Sequence, residues 1–264
     1  MATISAKVRT RLIDGVKKFK PIVSRAQDRD VNESDTVTII MDILSDVFGY
    51  DKFVDITSEF AIKKTFCDLA LKVNDQPKIL IEAKAAGLNL KEQHIKQAVD
   101  YGSNSGIEWV ILTNSVTWKV YRIIYGKPVV SELVYEFDFT QINTKKESDL
   151  EFLYYITKEA MSKAGKDALD EFHSHKQVVN KFVVAQTLLS EPVLDAIRKA
   201  FKKIAPETKG TNEEIYRIIC DEIIKRDVLD DERTALAKKM VAKSLSSTKK
   251  TDLRTETNSV EKEA

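Results

Sequence analysis

Two short stretches decide the fold of this chain: Phe66-Cys67-Asp68-Leu69-Ala70-Leu71-Lys72 and Lys78-Ile79-Leu80-Ile81-Glu82-Ala83-Lys84. Side-chain character alternates along both stretches, and a period of two is the signature of paired β-strands. The segment between them contains Asn74-Asp75-Gln76, a cluster that favours a turn. The two stretches are therefore predicted to form a hairpin, and a tight turn centred on Asp75 pairs position 68 with position 82.

The predicted hairpin has one apolar face and one charged face. The charged face carries Asp68, Glu82 and Lys84. Opposed Cβ atoms on one face lie about 4.5–5.5 Å apart, and carboxylates that close repel unless a cation or a shared proton lies between them. Because carboxylate oxygens suit hard divalent cations, the pattern predicts a metal site at Asp68 and Glu82. The alternative is a pair of exposed carboxylates with Lys84 as an ion-pair partner. The apolar face consists of Leu69, Leu71, Val73, Ile79, Ile81 and Ala83.

An Asp on one strand followed by Glu-x-Lys on the next resembles the core motif of the PD-(D/E)xK nuclease superfamily. The surrounding sequence also resembles the N-terminal nuclease domain of type I restriction enzyme R (HsdR) subunits. It resembles equally the stand-alone bacterial proteins built on that domain, which are grouped with type IV restriction endonucleases. The resemblance covers roughly Val31 to Phe139. Its segments are Glu82-Ala83-Lys84-Ala85, Gln97-Ala98-Val99-Asp100-Tyr101, Trp109-Val110-Ile111-Leu112-Thr113-Asn114 and Trp118-Lys119-Val120-Tyr121.

The resemblance implies a metal-dependent DNA endonuclease that uses Mg²⁺, for which Mn²⁺ can substitute. Asp68 and Glu82 are then the catalytic metal ligands, with the Ala83 carbonyl as a third ligand. The metal lowers the pKa of a bound water and stabilises charge on the scissile phosphate. Lys84 is the third catalytic residue, because an ammonium group beside the phosphate orients the attacking water and neutralises the transition state.

Five further positions are candidates for supporting roles. Gln97 and Tyr101 are four residues apart and so share one helix face; the resemblance implies that they support the site and contact the DNA backbone. Lys63 and Lys64 precede the hairpin and are candidates for phosphate contacts. Glu33 is a candidate for an additional metal ligand, since the resemblance places an acidic residue there. The alternative for Glu33 is a favourable interaction with the dipole of the helix that it begins.

The composition is that of an ordinary globular protein, with 43% hydrophobic and 31% charged residues among 264. A formal net charge of +1 excludes a surface coated with cations but not a local basic track. Cys67 and Cys220 are far apart in sequence and fit a reducing compartment. Neither a membrane-spanning run of about 20 apolar residues nor a signal-peptide core is present. A cytoplasmic protein without membrane contact is expected.

The N-terminal 32 residues predict an amphipathic helix with a basic bias. Eight basic residues stand against three acidic ones. Two interpretations remain open: a solvated helix face packed on the domain, or a phosphate-contacting surface. The basic residues are Lys7, Arg9, Arg11, Lys17, Lys18, Lys20, Arg25 and Arg29, and the acidic residues are Asp14, Asp28 and Asp30.

The predicted fold class is α/β, a restriction-endonuclease-like mixed sheet flanked by helices and followed by a small all-helical domain. Residues 1–145 are predicted to form the nuclease-like domain and residues 146–245 the helical domain. Residues 246–264 have few apolar side chains and are predicted to be a disordered tail. His173-Ser174-His175 is interpreted as a surface pair, because no Cys or carboxylate cluster surrounds it in helical register.

The leading functional hypothesis is an endonuclease that acts in restriction of foreign DNA. One alternative is a non-catalytic module of a restriction or defence complex that binds DNA or a protein partner. Another is a nuclease that acts only within such a complex. No G-x-x-x-x-G-K-[ST] motif occurs, so no ATP site is expected. Cutting both DNA strands needs two active sites, which is compatible with a homodimer.

Overall fold

The structure is a computed structural model that describes residues 3–62, 65–163, 167–207 and 209–245. A six-stranded mixed sheet confirms the predicted α/β class. Residues 109 to 124 form a hairpin, because both strands are rich in apolar side chains and meet at a short turn. The strands are β1 Ile56–Ile62, β2 Thr65–Val73, β3 Gln76–Ala83, β4 Trp109–Thr113, β5 Thr117–Ile124 and β6 Val130–Asp138.

The strands lie in the sheet in the order in which they occur in the chain. All neighbours pair antiparallel except β3 and β4, which are parallel. A parallel pair needs a crossover connection, and here the crossover contains a 3₁₀ turn, Glu92–Ile95, that leads directly into a helix, Lys96–Ser105. The crossover helix packs on one face of the sheet, and the remaining helices before residue 173 pack on the other.

The first of two compact units spans Met1–His173. Its larger core contains the apolar face of the β2–β3 hairpin predicted above, together with side chains of five helices on the same side of the sheet. Trp109 and Trp118 are 3% and 0% exposed, as expected of core anchors. With the crossover helix numbered α3, the helices in or entering this unit are α1 Ala6–Asp28, α2 Glu33–Asp46, α4 Glu147–Tyr154, α5 Lys158–Met161 and α6 Ala168–Val178.

The boundary predicted at residue 145 lies inside this first unit. Helices α4 and α5 bury Leu150, Leu153 and Met161 in the same core as the sheet residues. The change to helical sequence texture therefore does not mark the end of the domain. The structure places the division after His173.

The second unit begins at Ser174 and is helical. Its apolar side chains form two small clusters rather than one continuous core. Thr211 and Glu214 form a capping box at the start of one helix. The helices are α7 Lys181–Leu188, α8 Glu191–Ile204, α9 Asn212–Ile218, which continues into a π-helical turn, Ile219–Ile223, and α10 Arg226–Leu229; residues 232–245 are also helical. The predicted disordered tail, 246–264, lies outside the described residues.

Basic side chains of helix α1 form ion pairs and hydrogen bonds within the first unit. Arg9 forms an ion pair with Glu147 of α4 at 2.5 Å. Arg11 pairs with Glu159 of α5 at 2.6 Å and also donates to the Val47 carbonyl at 3.0 Å. These contacts support the interpretation of α1 as a packed helix. None of the helices in the described ranges is long and apolar enough to cross a bilayer.

Candidate active site

The β2–β3 hairpin brings Asp68 and Glu82 together through a two-residue turn and a bulge. Asn74 and Asp75 both have positive φ, 51° and 62°, which is the backbone that a twisted hairpin turn favours. Next to the turn Lys72 faces Pro77, but the register shifts between Leu71 and Lys72, so that Leu71 faces Ile79. Without this bulge the ladder would set Asp68 opposite Ile81. The bulge therefore places both carboxylates on one face.

Asp68 and Glu82 differ in their surroundings. Asp68 accepts a hydrogen bond from the Ala83 backbone N–H through Oδ2 at 2.7 Å, which ties its carboxylate to β3. Glu82 is only 6% exposed. Burial raises the pKa of Glu82 and the nearby Asp68 charge raises it further, although the hydrogen bond from Lys84 acts in the opposite direction. A carboxylate in this position binds a compensating cation favourably.

Lys84 lies where three oxygen atoms converge. Its Nζ donates to Glu82 Oε1 and to the Ala83 carbonyl, each at 2.7 Å, and lies 3.5 Å from Oε2 of Glu33. Burial alone would lower the pKa of Lys84, but the hydrogen bond to Glu82 and the neighbouring carboxylates raise it above its ordinary value. The ammonium group is therefore charged at neutral pH. Of the predicted site residues, the structure brings Glu33, Asp68, Glu82, Ala83 and Lys84 into one cluster.

Asn114 holds the chain that follows Lys84, and sequence reasoning did not identify it as part of the site. Its Nδ2 donates to the carbonyls of Ala86 and Leu88 at 3.2 and 2.9 Å. Its Oδ1 accepts from the N–H groups of Val116 and Thr117 at 3.1 and 2.7 Å. The side chain is 5% exposed, and its amide is fully used within the fold. The position after a buried strand is the sequence signal that could have identified it.

Gln97 and Tyr101 lie on α3, on the same side of the sheet as Asp68 and Glu82. Gln97 Nε2 donates to the Tyr101 hydroxyl, so the two residues act as one unit. The Tyr101 ring is 5% exposed and packs in the cluster that contains Cys67 and Leu80. Their i, i+4 relation is thus realised beside the strand that carries Asp68.

Cys67 adjoins Asp68 but is not suited to act as a nucleophile. Burial, assisted by the charges of Glu82 and Asp68, raises the pKa of its thiol to about 12. The sulfur donates instead to the Ile81 carbonyl at 3.1 Å. The thiol belongs to the packing beneath the site.

Two of the predicted contact residues, Lys63 and Lys64, lie outside the described residues. The interpretation of His173 as a surface residue is wrong. His173 is 8% exposed, with Nε2 3.1 Å from Glu132 and Nδ1 3.3 Å from Arg122, and its ring contacts the edge of Trp109. The sequence pattern missed these contacts because all three partners are distant along the chain.

The oxygen atoms of the cluster suit a small divalent cation held in part by other ligands. The ammonium group of Lys84 is already surrounded by oxygen atoms of Glu82, Ala83 and Glu33. Among the described residues, no three His, Cys, Asp or Glu side chains form a complete metal-binding group. Mg²⁺ commonly uses one or two carboxylates and keeps water or phosphate oxygens. These oxygen ligands therefore fit Mg²⁺ better than a metal ion whose ligands must all come from the protein.

The fold and this cluster define a mixed-sheet α/β domain with paired carboxylates and a lysine at the end of a central strand. Residues 38–137 match the family described as the type I restriction enzyme R protein N terminus. The match confirms the predicted resemblance to the N-terminal domain of restriction enzyme R subunits over this segment. Comparison with the curated proteins and with the solved structures gives no significant match.

Proposed function

We propose that this protein is a metal-dependent DNA endonuclease of a restriction system. The observation that supports the proposal most directly is the convergence of Asp68, Glu82 and Lys84 at one end of the β2–β3 hairpin, inside the segment that matches the restriction family. A buried carboxylate, a second carboxylate on the same face and a charged lysine are the groups that phosphodiester hydrolysis needs.

Each side chain then has a distinct task. Asp68, Glu82 and the Ala83 carbonyl would hold Mg²⁺, with Glu33 as an outer acidic group, and the ion would act as a Lewis acid toward the phosphodiester. Lys84 is close enough to Glu82 to stay positioned and carries the charge that offsets the negative transition state. Gln97 and Tyr101 provide a polar pair beside the site for the DNA backbone.

The test uses a supercoiled plasmid with the full-length protein, with Mg²⁺ or Mn²⁺ and with EDTA as a blank. Glu82→Gln keeps the shape of the side chain and removes its charge. We expect Mn²⁺ affinity, measured by calorimetry, to fall by more than the roughly 10- to 100-fold that follows from changing a residue that only supports a ligand. Glu136→Gln makes the same change at an exposed position on β6 and should leave both metal binding and cleavage unchanged.

Two outcomes would contradict the proposal in different ways. Unchanged Mn²⁺ affinity in Glu82→Gln would remove the metal site. Metal and DNA binding by the wild-type protein without cleavage would instead identify a non-catalytic module of a restriction complex.

Lys84→Ala separates the chemical step from metal binding. Cleavage should fall by about 10²–10³-fold, the scale for losing one donor to the transition state, while Mn²⁺ still binds. Lys119→Ala is the matched control, because Lys119 is also a partly buried strand lysine, 3.7 Å from Glu136. Cleavage by Lys84→Ala at the wild-type rate would limit Lys84 to an ion pair with Glu82.

A further inference from the structure

The second unit contains an open cavity of about 530 Å³ between the end of α8 and the start of α9. Cavities of 300–1,000 Å³ are the usual size for small ligands or for a group of a larger one. The walls are contributed by both helices and by described residues that lie between them. The lining residues are Arg198, Lys202, Pro206, Glu207, Lys209, Gly210, Thr211 and Asn212.

The cavity has an excess of positive charge. Arg198 and Lys202 are four residues apart on α8 and therefore share a face, and Lys209 lies beyond the end of that helix. Glu207 is the one carboxylate among the described lining residues. In the part of the chain that the structure describes, neither Lys202 nor Lys209 has an ion-pair partner. Three cations around one cavity repel one another, and a bound anion relieves that repulsion.

Arg198 is held in place by groups behind it. Oδ1 of Asp195 accepts from Arg198 Nη2 at 3.0 Å and from Asn212 Nδ2 at 2.9 Å, which joins α8 to the first residue of α9. Within the described residues, the buried Nε of Arg198 has no hydrogen-bond partner. Asp195 thus restrains the guanidinium through Nη2, and the other Nη donors have no hydrogen-bond partner among the described residues; a restrained donor lowers the entropic cost of binding.

A simpler explanation covers only part of this arrangement. Cations in the last turn of a helix interact favourably with the helix dipole, which accounts for Lys202 and Lys203 in α8. It does not account for Arg198, which lies further from the helix end, or for Lys209, which lies outside the helix. The contrast with α1 supports a binding role, because there Arg9 and Arg11 are paired with Glu147 and Glu159, whereas among the described residues Lys202 and Lys209 have no such carboxylate.

We propose that this cavity binds a phosphate group of the DNA backbone and gives the second unit a direct role in holding the substrate. The inference rests on the proposed function, since it names where that substrate is held away from the cleavage site. A phosphodiester supplies the negative charge that Lys202 and Lys209 lack among the described residues, and oxygen atoms that the Arg198 guanidinium can bind. Such contacts are independent of base sequence, so the second unit adds affinity rather than specificity.

The test measures binding of duplex DNA to the full chain by fluorescence anisotropy across a series of salt concentrations, with EDTA to prevent cleavage. Lys202→Ala/Lys209→Ala should weaken binding. It should also lower the slope of log affinity against log salt by about 0.9, the value for one lost phosphate contact. Lys202→Arg/Lys209→Arg keeps the charge and should keep the slope. Lys238→Ala/Lys239→Ala removes two exposed charges elsewhere in the unit and should leave the slope unchanged.

The outcomes separate this inference from the proposed function. If the wild-type protein binds and cleaves DNA and the Lys202/Lys209 alanine variant keeps its slope, the cavity assignment is overturned and the nuclease assignment stands. If the wild-type protein does not bind DNA, both fail together. Circular dichroism of each variant shows whether it is folded. If the alanine pair does not fold, Lys202→Gln/Lys209→Gln, which removes the same two charges and should reduce the slope by about 0.9, decides the question.

Discussion

The two units of this chain are both rich in helix, yet they are stabilised differently. In the first unit, helices on one side of the sheet share a single large core with it, and α3 builds a second core on the other side. In the second unit, the described helices bury two small clusters and leave Ile204, Ile223 and Leu236 60–80% exposed. Since burial of apolar surface dominates folding free energy, the first unit carries most of the stability. Rigid placement of the site follows from this.

The two units also differ in how their basic side chains are used. Some form ion pairs that hold helices together, and others have no carboxylate partner among the described residues. In the first unit Arg9, Arg11 and Lys18 of α1 are each held by a carboxylate of another helix. In the second unit Lys202 and Lys209 face a cavity. Basic residues therefore have different roles in the two units, although both segments are rich in Lys and Arg in the sequence.

The largest predicted effect concerns the end of the first unit. A truncation after Val178, which keeps α6 intact, should fold and melt cooperatively. A truncation after Lys145 should be unfolded, because it removes Leu150, Leu153 and other buried side chains of α4 and α5. Each large apolar side chain contributes about 1.5–3 kcal/mol, so a few of them match the roughly 5–15 kcal/mol of a whole domain. Thermal melting followed by circular dichroism distinguishes the two.

A folded protein ending at residue 145 with the same melting temperature as the fragment that ends at Val178 would contradict the placement of α4 and α5 in the core of the first unit. It would mean that the sheet with α1–α3 is self-sufficient and that α4 and α5 belong functionally to the helical region. Retention of Mn²⁺ binding by the fragment that ends at Val178 would confine the metal site to the first unit.

The site hairpin could be predicted from sequence because strand patterns are local. The pairing of position 68 with 82 was predicted from a turn centred on Asp75. The turn is in fact formed by Asn74 and Asp75, and the bulge at Leu71 restores the expected register. The position of the turn and the bulge compensate for each other in the strand register, and neither is visible in the alternation of side chains.

Other features depended on contacts that no local pattern contains. The domain boundary could not be found from helical periodicity, because core membership rather than secondary structure decides where Leu150 packs. His173 has the local sequence of a surface residue, but Glu132 and Arg122 bury it. Asn114 has the appearance of an ordinary turn residue, and its bonds to Ala86 and Leu88 appear only when the strands pair.

The smaller predicted effect uses two asparagines with the same hydrogen-bond pattern, one in each unit. Asn114 is 5% exposed and joins the loop after Lys84 to the β4–β5 turn. Asn180 accepts from Phe182 and Val183 at the start of α7 and donates to two carbonyls before it, but it is more exposed. An Asn→Asp change preserves the acceptor oxygen in both places and replaces the donor with an oxygen.

We expect Asn114→Asp to lower the free energy of unfolding by about 1–3 kcal/mol, because two carbonyls then face a buried group that cannot donate. Asn180→Asp should change it by no more than about 0.5 kcal/mol, since Asp is as good an N-cap as Asn and water reaches the freed carbonyls. Urea denaturation of the two variants measures the difference. Asn114→Asp should also slow plasmid cleavage, because the segment that follows Lys84 loses its anchor. Equal stability losses at the two positions would mean that the first unit does not hold its site more tightly than the second unit holds its helices.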